Sequence, residues 1–231
     1  FHGNPPRYRE PWNYSEEAQK IIRDMLNLRY QLIPYIYTEA HYVSEHGFPM
    51  LCPLVLEFDK DPTTYNIEDE FLFGRNLLIA PILTKKSSRK IYIPAGEWYD
   101  YWSLERYYGP KWIDYICDIS KVPFFIKGGT ILPLGPVIQH VDEKPLDTLT
   151  LYITPQKEAD KIEYKIMDDE ETIDIKAELK DKSIRIEINK KILKILVFIP
   201  TIFEITSVFI NDKNATIQDK NENCIKAELK F

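Results

Sequence analysis

Apolar residues at positions 21, 22, 25, 28 and 32 recur at helical spacing, so Ile21, Ile22, Met25, Leu28 and Leu32 form one stripe. Ser15 stands where an N-cap belongs, and Glu16 and Glu17 put negative charge in the first turn, where the helix dipole favours it. Pro34 is expected to kink or divide this helix, because its ring clashes with the preceding turn. Residues 35–43 can continue it, and Gly47 is the expected stop. Residues 1–12 contain three prolines and a glycine without periodicity and read as a loop.

From about residue 72 the pattern changes to strands. Residues 77–83 form an apolar run broken by Pro81, residues 90–93 alternate, and Ala95-Gly96-Glu97 is expected to turn the chain into residues 98–102. Residues 122–126 and 131–134 flank a turn at Lys127-Gly128-Gly129. A linker-like patch of Asp, Glu, Lys and Pro covers residues 142–147. Beyond it, Leu149-Leu151-Ile153, Ile162-Tyr164-Ile166, Ile173-Ile175, Ile184-Ile186-Ile188, residues 193–199 and Val208-Ile210 alternate apolar with polar. Period two at regular spacing predicts half-buried antiparallel strands in a β-sandwich. One helical piece thus precedes two small β units, and its apolar stripe needs a packing partner.

Composition narrows the function classes. The 231 residues are 44% hydrophobic, with a net charge of −6 and Lys interleaved with Asp and Glu, which argues against a nucleic-acid surface. No run of about 20 apolar residues is present, so no membrane span is expected. Cys52, Cys117 and Cys224 lie far apart and match no metal-ligand spacing. They read as buried thiols in a reducing compartment, hence an expected cytoplasmic location; neither a metal nor a cofactor is expected. The chain starts at Phe1 within a loop, the look of a segment preceded by further sequence.

Few residues suggest chemistry. His2 lies in a Gly/Pro-rich loop near Arg7, Arg9 and Glu10, where a histidine can donate to a polar ligand. His41, His46 and His140 have no partners at metal or triad spacing. Asp168-Asp169-Glu170-Glu171 is expected to be a hairpin turn: neighbouring carboxylates repel, and glycosidase pairs converge from distant positions to about 5–5.5 Å for retention. Trp98, Tyr99, Tyr101, Trp102, Tyr107, Tyr108 and Trp112 serve either core packing or stacking on sugar rings.

Several segments together resemble glycoside hydrolase family 31. Phe1-His2-Gly3, Tyr8-Arg9-Glu10-Pro11-Trp12 and residues 28–37 are similar to the end of its catalytic barrel. Gly47-Phe48-Pro49-Met50, residues 70–82, residues 92–102 and residues 122–129 follow in the family's order and resemble its proximal β-domain. Met167-Asp168-Asp169-Glu170 resembles the distal domain's DDG hairpin, with Glu170 in place of glycine. The matches are colinear to about residue 170, and residues 171–231 fit by pattern alone.

The resemblance implies the last βα segment of a (β/α)8 barrel (residues 1–65), a proximal β-domain (66–146) and a distal β-sandwich domain (147–231). It implies a retaining exo-α-glycosidase in which one Asp attacks the anomeric carbon and another acts as acid, then base. Both carboxylates belong to earlier barrel strands whose motifs are absent here, so no catalytic residue is expected in this chain, and the chain alone is expected to be inactive. His2 matches the family histidine that binds a hydroxyl in the −1 subsite; Arg9, Glu10 and Trp12 match positions expected to be supporting or structural. The His2-Gly3 pairing resembles α-xylosidases more than α-glucosidases. Expected partners are an oligosaccharide substrate and the upstream part of the same enzyme, with a homo-oligomer a possibility. The competing reading is a non-catalytic carbohydrate-binding or scaffolding module with Trp98, Tyr101 and Trp102 as its platform.

Overall fold

The computed structural model describes residues 8–141, 143–156, 160–168, 171–202, 204–221 and 223–230. Helix α1 (Glu16–Gln31) is capped by Ser15, whose hydroxyl accepts from the Ala18 N–H at 3.2 Å. Pro34 divides the helical stretch: α1 ends at Gln31 and α2 (Ile33–His46) starts with the proline in its first turn, where no N–H partner is lost. Gly47 ends α2 with φ +71°, and its N–H bonds to the Val43 carbonyl.

The first sheet is built from β1 (Leu51–Pro53), β2 (Phe71–Phe73), β3 (Leu77–Ile79), β4 (Ser88–Asp100), β5 (Arg106–Ile116) and β6 (Phe124–Lys127), in the order β1-β2-β3-β6-β4-β5. A single helical turn, α3 (Leu54–Glu57), follows β1. The turn expected at Ala95-Gly96-Glu97 is instead a bulge within one continuous strand, where the register shifts between Ile93 and Gly96. Gly96, at φ +116°, absorbs the irregularity while β5 pairs along both halves of β4.

Ten further strands follow: β7 (Thr130–Leu134), β8 (Thr148–Thr154), β9 (Lys161–Met167), β10 (Thr172–Lys180), β11 (Ser183–Ile188), β12 (Lys194–Pro200), β13 (Ser207–Ile210), β14 (Lys213–Asn214), β15 (Thr216–Lys220) and β16 (Cys224–Lys230). They form two five-stranded sheets, β14-β13-β11-β10-β9 and β15-β16-β12-β8-β7. Inward residues of both, such as Ile175 and Ile186 from one and Leu151 and Val197 from the other, share one core, as a sandwich requires. The pairing is mixed rather than antiparallel throughout, since β8–β12 and β11–β13 run parallel. Alternation reports one buried face; it does not carry strand direction. Pairing of β7 with β8 also ties residues 130–134 to the sandwich sheet, across the linker-like patch.

Leu32 and Tyr35 belong to the same core as the sandwich. No α1 residue is buried, however. Met25, Leu28, Leu32, Ile36, Phe73 and Phe124 line an open apolar groove along its flank.

Candidate functional site

His2 and Gly3 lie outside the described residues, so the site begins with the loop that follows them. Glu10 accepts a hydrogen bond from Asn13 Nδ2 at 2.8 Å across a short 3-10 turn, Pro11–Asn13. Gln19 of α1 donates to the Tyr14 carbonyl at 2.9 Å. The loop is therefore tied to α1, while the Trp12 ring is left 72% exposed.

A buried polar junction holds α2 to both β units. Glu39 lies one turn after Tyr35 on the inner face of α2, and its carboxylate grips Arg75 in the β2–β3 turn with a two-pronged contact. Arg75 Nε and Nη2 each donate at 2.9 Å, and the Arg75 backbone N–H adds a third bond at 3.0 Å. Tyr164 of β9 donates to the same carboxylate at 3.3 Å. Thr38 accepts from the Met167 N–H at 2.9 Å, and the Tyr35 hydroxyl donates to the Phe73 carbonyl at 2.7 Å. Burial, then the neighbouring Glu39 charge, pushes the Tyr35 and Tyr164 hydroxyls well above the ordinary tyrosine range, so both stay protonated donors. Gly74 completes the junction at φ +61°; a Cβ there would stand 2.5 Å from Tyr35 Oη and 2.7 Å from Glu39 Cγ.

Other buried carboxylates are equally committed to structure. Glu70 accepts from the Tyr92 N–H at 2.9 Å and from Arg89 at 3.0 Å, yet burial raises its carboxyl to about 7. Glu97 accepts from the Tyr99 hydroxyl at 2.5 Å. Asp100 accepts from the N–H groups of Trp102 and Ser103, each at 2.8 Å, and from the Tyr115 hydroxyl. The acidic cluster falls in the β9–β10 hairpin, where Met167 faces Thr172 and Asp168 pairs with Lys190 at 3.2 Å; Asp169 and Glu170 lie outside the described residues.

The aromatic cluster divides. Trp98 and Tyr99 are fully buried and Tyr101 nearly so, and Trp98 Nε1 donates to the Pro94 carbonyl at 3.1 Å. The platform read from Trp98, Tyr101 and Trp102 is thus not an exposed surface: two of its three rings are core, with Trp102 half-buried beside them. Glu39, Arg75 and Tyr164 were missed as a cluster. The one available signal was a glutamate on the apolar face of an amphipathic helix.

A helix pair with an uncovered flank, held by the Glu39–Arg75 ion pair to a β-sheet and a β-sandwich, defines a β-rich module. The model of the glycosyl hydrolase family 31 TIM-barrel domain matches residues 1–39, and that of the family 31 C-terminal domain matches residues 47–132. Alpha-glucosidase 2 of Bacillus thermoamyloliquefaciens is 38% identical over 165 residues, 71% of this chain and 21% of that protein. An alpha-xylosidase of Saccharolobus solfataricus is 33% identical over 152 residues, 64% of this chain and 21% of that protein. A family 31 dextranase of Flavobacterium johnsoniae, solved with glucose, superposes with a TM-score of 0.82 at 26% identity, covering 97% of this chain and 33% of that one. The chain belongs to glycoside hydrolase family 31. It spans about a fifth of the length of the two curated relatives, 21% of each.

Proposed function

We propose that this chain forms the C-terminal part of a retaining exo-α-glycosidase that removes terminal α-linked xylose or glucose from oligosaccharides. The observation that carries this reading is the superposition on the dextranase over 97% of the chain. His2 lends a hydrogen bond to a sugar hydroxyl in the −1 subsite. The nucleophile and the acid/base come from residues outside 1–231. In support, Glu39, Glu70, Glu97 and Asp100, the buried acids among the described residues, all hold structural partners. The His2-Gly3 pairing supports xylose; the two curated relatives described above are named for glucose and xylose, one each. One extra hydroxymethyl changes such selectivity only about 10–200-fold by fit.

The test is hydrolysis of aryl α-xyloside and aryl α-glucoside, side by side. The chain alone should turn over neither, and turnover of either would show that it holds its own carboxylates. In an enzyme that carries a complete barrel, the xyloside should be the better substrate. There His2→Ala should lower kcat/KM by about 10–100-fold with an unchanged melting temperature, the loss of one hydrogen bond strengthened in the transition state. Unchanged kinetics would remove His2 from the site.

A further inference from the structure

The edge strand β5 has two unlike faces. Tyr107, Ile113 and Tyr115 pack against the core of the first sheet, while Tyr108, Trp112, Asp114 and Ile116 on the other face are exposed. Trp112 stands in the middle of this outward row and is 50% exposed, whereas the same sheet buries Trp98 completely. The function proposed above makes no use of this face.

An exposed ring is a platform only where its surface is not already covered. Trp112 leans on one ring, that of Tyr92, its partner across the strands, at 5.2 Å and 53°. The Tyr92 hydroxyl donates to Asp61, which fixes the ring that Trp112 leans on. Among the described residues no cation lies over the indole and nothing accepts from its Nε1–H. The neighbouring rings differ. Arg106 lies over Tyr108 at 4.8 Å and Lys111 over Tyr107 at 5.7 Å, so each already has a cation on its face.

Polar groups stand where a ligand resting on the indole would meet them. Lys90 and Asp114 oppose each other in the strand register, two positions from Tyr92 and Trp112. They therefore share the face of Trp112, about 7 Å further along the strands. Both are exposed, and among the described residues neither takes part in an ion pair. The ammonium donates, the carboxylate accepts and the indole N–H is a second donor. An anion would meet Asp114 and a cation Lys90, so the pair favours a neutral ligand with hydroxyls that both donate and accept. A pyranose has such hydroxyls on its rim and a patch of C–H groups for the indole. We propose that Trp112, Lys90 and Asp114 form a surface binding site for a neutral oligosaccharide. It goes beyond the glycosidase reading, since binding here needs no turnover.

The indole N–H supplies the reporter. Nitrogen-15 labelling of the four tryptophans gives four indole signals in the NMR spectrum, and Trp112→Phe assigns the one that vanishes. The probe is isomaltotriose, a neutral trimer of α-linked glucose. The Trp112 signal should move saturably, with a midpoint of about 1 mM. The signals of Trp98, which is buried, and of Trp102, whose Nε1 donates to the Val122 carbonyl at 2.8 Å, should stay in place. Sorbitol, a polyol with no ring to stack, should leave the Trp112 signal unmoved. Asp114→Ala, at an exposed strand position, should raise the midpoint at least about threefold, the loss of one modest hydrogen bond. A Trp112 signal unmoved at about 100 mM isomaltotriose, a hundredfold above that midpoint, overturns the proposal. An equal response to sorbitol, or an unchanged midpoint in Asp114→Ala, overturns it as well. Binding is read in the chain alone, which is expected to hydrolyse nothing, so either result leaves the hydrolysis test to decide the glycosidase reading.

Discussion

Replacing Arg75 by methionine tests the junction directly. The substitution keeps most of the aliphatic stem and removes the guanidinium. Glu39 then loses two charge-assisted bonds of 2.9 Å while its side chain stays 1% exposed. The Arg75 backbone N–H at 3.0 Å and the Tyr164 hydroxyl at 3.3 Å remain, too little to compensate a buried carboxylate. Breaking a buried pair by deleting one partner costs about 3–5 kcal/mol. The lower end applies here, because the Arg75 side chain is itself 41% exposed and its charge is partly screened. A loss of about 3 kcal/mol, with a urea slope of roughly 2–3 kcal/mol per molar, moves the unfolding midpoint down by about 1 M. Tryptophan fluorescence reports the transition, since Trp98 is fully buried in β4. The double variant with Glu39→Gln removes the stranded charge and should recover part of the loss, so the two effects should not add. A cost below about 1 kcal/mol, or strict additivity, would refute the assignment of Glu39–Arg75 as the clamp between α2 and the β units.

Further outcomes follow from the same geometry. Gly74→Ala should cost at least about 2 kcal/mol, because an L side chain is strained at φ +61° and its Cβ meets Tyr35 and Glu39; a near-neutral effect in urea unfolding would contradict the close approach. Glu70 has its folded-state carboxyl raised to about 7 from 4.5, so its stabilising contribution is full below the unfolded value and is lost as pH rises toward 7. The wild type should thus lose stability relative to Glu70→Gln across that window, by at most about 1.4 kcal/mol per pH unit, and parallel pH curves for the two would refute the shift. Limited proteolysis of the chain should cut first within residues 8–31, since α1 buries no residue, while Tyr35, Thr38 and Glu39 protect α2; simultaneous loss of α2 would show the junction to be weak.

Local chemistry wrote much of this structure into the sequence. Ser15, Pro34 and Gly47 act through their own backbone preferences, so the start, division and end of the helices were readable without neighbours. Alternation marked β8, β9, β11 and β12, because burying one face of a strand imposes period two. The colinear motifs identified the family.

Tertiary structure alone decided what depends on partners far along the chain. The edge strand β5 carries Gly109-Pro110 and a mostly exposed outer face, so no apolar alternation announced it, and only pairing with β4 makes it a strand. The same pairing makes a bulge of what looked like a turn at Gly96. Two strand pairs run parallel, which no residue pattern encodes. Glu39 meets Arg75 across 36 positions and Tyr164 across 125. Each of these residues is unremarkable beside its sequence neighbours. Their chemistry appears only when packing removes water and sets one against another, and that arrangement is a property of the folded chain.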